Sequence, residues 1–240
     1  YARSTKNIDK SWKNTHKAVM GLVKELQKKS NDCYRSGDYK CAEKTLKKII
    51  KKDKKSPSLA RYYSDLGTIQ RRLGKKDDAL KSYNKAIEIN STTVVFLTNR
   101  ATLYMQLGEF EKGDKDFDAA IALEPENFAI RSDYALFKKR QGRIKEALED
   151  YNDIIKANPD EPIFYNNRAD TKLRLEDYEG ALSDLDKALE LNPDYHVAII
   201  TKGEVYLAMK DQKKACQLFN QAIAAGFDAK QIESLLAPCK

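Results

Sequence analysis

Residues that could carry out chemistry are few in this sequence, and they are not grouped. The two histidines, His16 and His196, lie near opposite ends of the chain. Paired acids such as Asp77-Asp78 and Glu149-Asp150 are most simply helix N-terminal charges or parts of a solvated face. The motifs HExxH, GxxxxGK(S/T) and strand-linked GxGxxG, which hold zinc, phosphates and dinucleotides, are all absent from the sequence. The sequence therefore predicts a protein that is not an enzyme and uses no cofactor.

The segment from Pro162 to Pro193 predicts two amphipathic helices joined by a short turn. Its apolar residues recur at spacings of three and four, which place them on one face of each helix. They are Phe164, Tyr165, Ala169, Leu173 and Leu175 in the first helix and Tyr178, Ala181, Leu182, Leu185, Ala188 and Leu189 in the second. Pro193 ends the pattern because proline has no backbone N–H to donate. One such hairpin cannot bury its apolar faces alone, so similar hairpins are expected on either side.

The same hairpin pattern recurs every 34 residues along the chain. Small residues hold one place in each first helix and one in each second helix, where two helices cross closely. The small residues are Gly67, Ala101, Ala135, Ala169 and Gly203 in the first helices and Ala79, Gly113, Ala147, Ala181 and Ala215 in the second. Larger residues with the same period are Tyr83, Phe117, Tyr151, Leu185 and Phe219, and the prolines are Pro125, Pro159 and Pro193.

This period, with two small positions and a closing proline, resembles the tetratricopeptide repeat (TPR) family over nearly the whole chain. The resemblance implies an all-α fold, a right-handed superhelical solenoid of helix-turn-helix repeats. It implies capping helices at 1–22 and at 230–240. Trp12 would contact the first repeat, with an anchor for a binding partner as the alternative. The expected repeats are 23–56, 60–93, 94–127, 128–161, 162–195 and 196–229, with a short insertion around Pro57 to Leu59. The chain begins at Tyr1 without an apolar signal core, and the sequence leaves open whether a targeting segment was removed.

Four cysteines fall into two pairs within this framework, one at each end. Cys33 would lie near the end of a first helix and Cys41 near the start of the second helix of the same hairpin. Cys216 would lie in the last repeat and Cys239 in the cap that packs on it. Both pairs are predicted to form disulfides, with ordinary buried thiols as the alternative and no metal, because no further ligands cluster with them. Disulfides favour a periplasmic or secreted location over a cytoplasmic one, and the C-terminal residues resemble the ends of exported bacterial TPR proteins.

In the TPR family the first helices line a concave groove that binds extended peptides or helices. The candidate groove residues are Arg61, Arg71, Arg72, Asn99, Gln106, Lys139, Arg140, Asn166, Asn167 and Arg174. Other positions of the same register are Ser64, Asp65, Thr68, Thr98, Thr102, Ser132, Asp133 and Asp170. Asparagine can bond both donors and acceptors of a peptide backbone, and arginine can bind a carboxylate bidentately. The predicted function is therefore a protein–protein interaction scaffold whose partner presents an extended acidic or polar segment.

Two segments, Asn99–Ala101 and Asn167–Ala169, resemble the part of chaperone-binding repeats that holds a C-terminal carboxylate. In those repeats the asparagine acts with Lys and Asn of the preceding repeat and Lys and Arg of the following one. The corresponding residues here are Ser64, Thr68, Ala129 and Asp133 in one register and Ser132, Leu136, Val197 and Thr201 in the other. A carboxylate clamp is therefore not expected.

Positive charge is concentrated in the N-terminal quarter of the chain. Residues 1–60 carry 17 Lys and Arg against 6 Asp and Glu, whereas the remainder carries 27 against 30. This excess is either a solvated surface or an electrostatic site, so binding of nucleic acid or an anionic surface is the alternative function. Aromatic residues do not interleave with Lys51–Lys55, which disfavours a nucleic-acid partner held by base stacking. No apolar run approaches the roughly 18 residues that a membrane helix requires.

Overall fold

The structure, a computed structural model, describes residues 2–239, with side chains from Lys17 onward. Its first helices are α1 (Ala2–Arg35), α2 (Tyr39–Lys52), α3 (Leu59–Arg72), α4 (Lys76–Ile89), α5 (Val94–Leu107) and α6 (Phe110–Leu123). They are followed by α7 (Phe128–Arg140), α8 (Ile144–Ala157), α9 (Pro162–Arg174), α10 (Tyr178–Leu191), α11 (His196–Ala208), α12 (Gln212–Ala224) and α13 (Glu233–Leu236). No strand occurs between residues 2 and 239. The predicted all-α fold of helix-turn-helix repeats is confirmed.

Short side chains mark where several second helices begin. The carboxylate of Asp38 accepts a hydrogen bond from the backbone N–H of Cys41 at 2.9 Å. Asp177 accepts one from the backbone N–H of Gly180 at 3.0 Å. Each bond satisfies a donor that the first turn of a helix leaves without an intrahelical partner. These caps fix the sharp turn that sets the second helix of a hairpin against the first.

Helices α1–α6 form one compact unit, unit 1, which spans Tyr1–Glu124 and consists of three hairpins. Its buried apolar residues include Val23, Leu46, Ile49, Tyr62, Leu66, Ala79, Tyr83 and Leu103. Gly67 of α3 lies against the fully buried ring of Tyr83 of α4, and a Cβ at Gly67 would lie 2.7 Å from the Cε1 atom of that ring. A small residue at this crossing is therefore a steric requirement.

Helices α7–α13 form unit 2, Pro125–Lys240, with three further hairpins and a short C-terminal segment. Its buried apolar residues include Ala135, Tyr151, Ala169, Ala181, Leu185, Ala198, Ile199, Phe219 and Ile232. Alanine or glycine again lies where first and second helices cross, and Gly203 faces the ring of Phe219. The same periodic residues thus build the core of both units.

The two chain ends differ in form from the expected caps. Residues 2–22 and the first helix of the first hairpin are one continuous helix, α1, and the side chain of Trp12 lies outside the described residues. The C-terminal segment is not one helix: α13 lies between two 3₁₀ helices, Ala229–Ile232 and Ala237–Cys239. Ile232 anchors this segment by inserting into the core beside α12. The repeat and cap boundaries themselves stay a prediction.

Candidate protein-interaction surfaces

A cleft of about 520 Å³ opens between α1 and α3 in unit 1, and we call it the α1–α3 cleft. One polar stripe on each helix forms its walls, because spacings of three and four keep each stripe on one helix face. The walls are Gln27, Ser30, Asn31 and Tyr34 of α1 and, on the other side, Ser58, which precedes α3, with Arg61, Tyr62, Asp65 and Thr68 of α3. The floor is apolar and consists of Leu46, Ile49 and Ile69. The connection 53–58 that precedes α3 is longer than the connection 90–93 that precedes α5, which gives α1 and α3 room to separate.

Charged groups lie along the cleft and at its end. The Nε atom of Arg61 is 3.9 Å from a carboxylate oxygen of Asp65. Desolvation by the surrounding protein raises the pKa of Asp65, and Arg61 partly opposes the shift. The guanidinium of Arg72 lies 5.6 Å from the ring centroid of Tyr34 and 5.5 Å from that of Tyr39, a cation–π arrangement that fixes its position. The cleft therefore combines an apolar floor with one arginine in its wall, Arg61, and a second arginine, Arg72, packed on the wall residue Tyr34.

In unit 2, contacts join α7, α9 and α11 along one side, which we call the α7–α9–α11 face. The Nζ atom of Lys139 on α7 donates to a carboxylate oxygen of Asp170 on α9. The Nδ2 atom of Asn167 donates to the Oγ atom of Ser132 at 3.2 Å, which also joins α7 to α9. Asp170 acts electrostatically on Glu204 of α11. The face thus spans three first helices of neighbouring hairpins.

Several predicted groove residues are engaged within the chain. Lys139 is only 5% exposed, so its ammonium group serves Asp170 rather than the surface. Asn99 repeats the bond of Asn167 by donating to the Oγ atom of Ser64 at 3.3 Å in unit 1. The Nε atom of Arg71 is buried and has no hydrogen-bond partner. The side chains of Arg61, Arg72, Gln106, Arg140 and Arg174 are exposed.

The α7–α9–α11 face contains carboxylates that neighbouring protein atoms partly desolvate, although Asp133 is exposed and Glu204 is half-buried. Desolvation raises the pKa of Asp133. Desolvation also raises the pKa of Glu204. The negative charge of Asp170 increases this shift, and the positive charge of Arg174 opposes it. The Oδ1 atom of Asn166 is buried and accepts no hydrogen bond, and the residue as a whole is only 5% exposed. Such a group carries a desolvation penalty until a donor reaches it.

Exposed aliphatic residues accompany these polar groups, and the sequence analysis did not single them out. Val95, Ile163 and Val197 are 50%, 47% and 45% exposed, and they occupy equivalent places near the start of α5, α9 and α11. Arg61 and Ala129 hold the same place in α3 and α7. The period of 34 was a signal that could have revealed them, since apolar residues recur there without a core to enter.

The arginines of the two Asn-Arg-Ala segments serve the scaffold. Arg168 binds both carboxylate oxygens of Asp184, with distances of 2.8 and 2.6 Å, and donates to the Oδ1 atom of Asn152 at 2.9 Å. Each contact therefore joins a first helix to second helices. An equivalent set of contacts joins Arg100 to Asp116 and Asn84 in unit 1. These arginines are not available to hold a partner carboxylate.

The four cysteines approach each other in the predicted pairs. The sulfur atoms of Cys33 and Cys41 lie at disulfide-bonding distance, with Cα atoms 5.8 Å apart. Those of Cys216 and Cys239 do so as well, with Cα atoms 5.5 Å apart. Both Cα separations lie in the range found for disulfides. One pair closes the first hairpin of unit 1, and the other ties the C-terminal segment of unit 2 to α12.

Within the described residues, no three His, Cys, Asp or Glu side chains are grouped so as to hold a metal ion. None of the helices described is both long enough and apolar enough to cross a membrane.

Models of tetratricopeptide repeats match residues 60–92, 98–162, 138–196 and 172–239, which is most of the chain. The chain belongs to the tetratricopeptide repeat family. A TPR protein from Parabacteroides merdae is 26% identical, with 90% of this chain and 98% of that chain covered and a TM-score of 0.45. No curated protein matches the chain.

Two other solved structures show the TPR fold. A thermophilic TPR protein from Thermus thermophilus is 19% identical, with 75% of this chain and 98% of that chain covered and a TM-score of 0.61. MamA from Desulfovibrio magneticus is 19% identical, with 69% and 94% covered and a TM-score of 0.53. TPR proteins are generally non-catalytic scaffolds for protein–protein interaction, so the first-helix surfaces described above are the candidate functional sites.

Proposed function

We propose that this TPR protein is a non-catalytic scaffold that binds an extended acidic segment of a partner protein in the α1–α3 cleft. The observation that carries the proposal is the cleft itself. Its volume of about 520 Å³ lies within the range of ligand-binding pockets. Its apolar floor can receive one aliphatic or aromatic side chain, while the polar walls can bond the backbone on either side of that anchor.

The preference for acidic residues follows from Arg61 and Arg72. The side chain of Arg61 is 78% exposed, and its contact with Asp65 is long, so its guanidinium can turn to a partner carboxylate. Arg72 is held at the end of the cleft by two tyrosine rings. Unit 1 as a whole carries 27 Lys and Arg against 16 Asp and Glu, which favours the approach of an acidic segment.

A library of short random peptides, displayed on phage and selected on the purified protein, tests the proposal. We expect enriched peptides to carry Asp or Glu around one large apolar residue. Two variants of the cleft are compared with the wild type. One is Asn31→Trp, which fills the cleft, and the other is Arg61→Glu with Arg72→Glu. Each should lower the affinity for these peptides about ten-fold or more. Amidation of the peptide C-terminus should leave their affinity unchanged, because no carboxylate clamp is expected.

The matched control changes the same number of charges on a second helix of the same unit. Lys81 and Lys85 of α4 are exposed and do not line the cleft, so Lys81→Glu with Lys85→Glu should bind the peptides nearly as the wild type does. Circular dichroism establishes that every variant is folded. The proposal is overturned if the enriched peptides bind the cleft variants as well as they bind the wild type, or if they lack acidic residues.

A second candidate function rests on a different observation. Lys51 and Lys52 at the end of α2 and Lys54 and Lys55 after it are all exposed, and together they form a strongly positive surface. Binding of duplex DNA or of phosphatidylserine vesicles would then fall steeply with added salt and would be lost when the four lysines are replaced by glutamine. Peptide binding in the cleft should weaken far less with that replacement than with Arg61→Glu and Arg72→Glu, because the four lysines do not line the cleft.

A further inference from the structure

The α7–α9–α11 face of unit 2 has the opposite chemistry to the α1–α3 cleft. Helical spacing puts Asn166 and Asp170, four residues apart, on one side of α9. Asp133 on α7 and Glu204 on α11 flank them. Lys139 is buried and forms an ion pair with Asp170, so its positive charge is already neutralised within the protein. The face therefore offers mostly acceptors.

Two of these carboxylates form no close ion pair, although Arg174 acts on Glu204 at longer range. Neither Asp133 nor Glu204 forms an ion pair within 4 Å among the described residues. Partial desolvation acts on both, which means that water stabilises their negative charge less than it would in the open. A carboxylate in this state gains more from an incoming cation than a fully hydrated one does.

The floor of the face supplies independent evidence of a missing donor. The Oδ1 atom of Asn166 is buried without a hydrogen-bond partner, and the side chain is 5% exposed. Buried acceptors in folded proteins are nearly always bonded, so an orphaned one marks a place where a donor is expected. The residue lies one turn from Asp170, among the carboxylates already described.

Apolar contacts at the same face favour a peptide over a free ion. Ile163 is one turn before Asn166 on α9, and Val197 holds the equivalent place on α11. Both are nearly half exposed and can pack against aliphatic side chains of a ligand. Arg140 and Arg174 lie at the C-terminal ends of α7 and α9, so they confine a cation to the first and middle turns of these helices.

We propose that the α7–α9–α11 face binds an extended partner segment through an arginine side chain, with Asp133, Asn166, Asp170 and Glu204 as acceptors. Arginine fits better than lysine because its planar guanidinium carries five donors and loses less hydration on burial. The aliphatic neighbours of that arginine would pack on Ile163 and Val197. This inference rests on the proposed scaffold function but assigns a second site with a different ligand, in the other unit.

A labelled peptide with one arginine between two leucines, capped at both ends, is the probe. Fluorescence anisotropy should show that it binds the wild type. The variant Asp133→Asn with Glu204→Gln should bind it about ten-fold or more weakly, because two charge-assisted bonds become neutral. Both changes conserve shape at sites where ionisation is already disfavoured, so the variant is expected to fold. Citrulline keeps the shape of arginine without its charge. The same peptide with citrulline in place of arginine should bind the wild type as weakly as the arginine peptide binds the double variant.

Two controls separate this site from general electrostatics and from the cleft. Glu149→Gln with Asp153→Asn makes the same chemical changes at exposed positions of α8 in the same unit, and it should bind the arginine peptide normally. The cleft variant Arg61→Glu with Arg72→Glu should also bind it normally. The inference is overturned if Asp133→Asn with Glu204→Gln has no effect, if the α8 control is equally impaired, or if citrulline replaces arginine without loss. Those outcomes are independent of whether acidic peptides bind the cleft.

Discussion

Units 1 and 2 share their scaffold and differ in charge. Each contains three hairpins with small residues at the crossings, and each contains one arginine that joins a first helix to second helices. Unit 1 carries 27 Lys and Arg against 16 Asp and Glu, whereas unit 2 carries 17 against 20. The two units share the buried contacts of the repeat but differ at exposed positions of the first helices. The differences in charge between the units therefore point to binding rather than to folding.

One pair of equivalent positions illustrates the difference. Asp65 on α3 and Asp133 on α7 occupy the same place in their repeats, two periods apart. Asp65 has Arg61 four residues before it, and Asp133 has Ala129. The same carboxylate is thus partly neutralised in unit 1 and left without a cation in unit 2. This single exchange changes which ligand charge each surface attracts.

The largest expected effects come from the shared arginine contacts. Asp184 is 4% exposed and accepts from Arg168 and from Lys172, the latter at 2.8 Å, whereas Asp116 accepts from Arg100. Removing one partner of a buried ion pair typically lowers the free energy of unfolding by about 3–5 kcal/mol. We expect the loss of stability for Asp184→Ala to fall in this range. It should exceed the loss for Asp116→Ala, because Asp184→Ala leaves two cations without their acceptor.

Urea denaturation followed by circular dichroism measures both variants. Glu190→Ala, which removes an exposed partner of Lys187, is the control and should change the free energy of unfolding by less than about 0.5 kcal/mol. A loss below about 1 kcal/mol for both aspartate variants would show that these contacts do not hold the repeats together.

The disulfides should differ between the units according to the loop that each closes. Cys216 and Cys239 are 23 residues apart, and Cys33 and Cys41 are 8 apart. The chain-entropy relation gives about 3.4 kcal/mol for the longer loop and about 2.5 kcal/mol for the shorter. We expect the double variant Cys216→Ser with Cys239→Ser to lose more stability than Cys33→Ser with Cys41→Ser, by denaturation without reductant.

Reduction of the wild type should lower its stability, and the variant that lacks all four cysteines should not respond to reductant. A thiol assay on protein purified without reductant is the direct check. Four reactive thiols in the denatured protein would contradict the prediction and would remove the argument for an oxidising compartment.

The close helix crossings should give a smaller effect that changes sign with the position of the glycine. A methyl group at Gly67 would press on the ring of Tyr83, which is buried and whose hydroxyl lies 3.0 Å from the Oγ1 atom of Thr68. Overpacking of this kind costs about 1–3 kcal/mol, more than the roughly 1 kcal/mol that alanine gains over glycine in a helix. Gly67→Ala should therefore lower the melting temperature.

Gly203→Ala tests the same crossing in unit 2, where the added methyl group would meet Phe219. Gly21 of α1 is the matched control, since a Cβ there has no atom within 4 Å. Gly21→Ala should raise the stability by up to about 1 kcal/mol. If Gly67→Ala and Gly21→Ala are equally stabilising, the ring of Tyr83 yields freely and the small residue is not a steric requirement.

The sequence was sufficient for the hairpins because their determinants are periodic and local. The small residues of the crossings follow the 34-residue period and are buried, as are most of the apolar positions. Leu175 is an exception, because it lies just after the end of α9 and is 36% exposed. The two cysteine pairs could also be predicted, because a turn of known length brings Cys33 to Cys41. These features depend on neighbours that the repeat itself specifies.

The surfaces were harder to predict because they depend on contacts between repeats. Lys139 looked like a ligand-binding cation, but its partner Asp170 lies in the next hairpin. Arg168 looked like part of a binding segment, but it serves Asp184 in its own hairpin. The cleft required knowledge of how far α1 and α3 separate, for which the extra residues around Pro57 were the available signal.

The smallest expected effect sharpens the comparison of Asp65 with Asp133. Desolvation raises the pKa of Asp133 in the folded state above its unfolded value, and nothing opposes the shift. Such a group favours folding fully only below its unfolded pKa, about 3.9, and this contribution is lost as the pH rises through the folded pKa. At neutral pH the ionised carboxylate therefore works against folding. Asp133→Asn should raise the free energy of unfolding there.

The gain for Asp133→Asn should be within about 0.5 kcal/mol and should vanish below the unfolded pKa, where both side chains are neutral. Asp65→Asn should give a smaller gain, because it also removes the partner of Arg61. Thermal unfolding of both variants and the wild type, from neutral pH to below the unfolded pKa of aspartate, measures these differences in stability. An equal gain in the two units would mean that Arg61 does not compensate Asp65. A loss at Asp133 would mean that this carboxylate is stabilised within the fold, which would make it a scaffold residue and not a place held open for a cation.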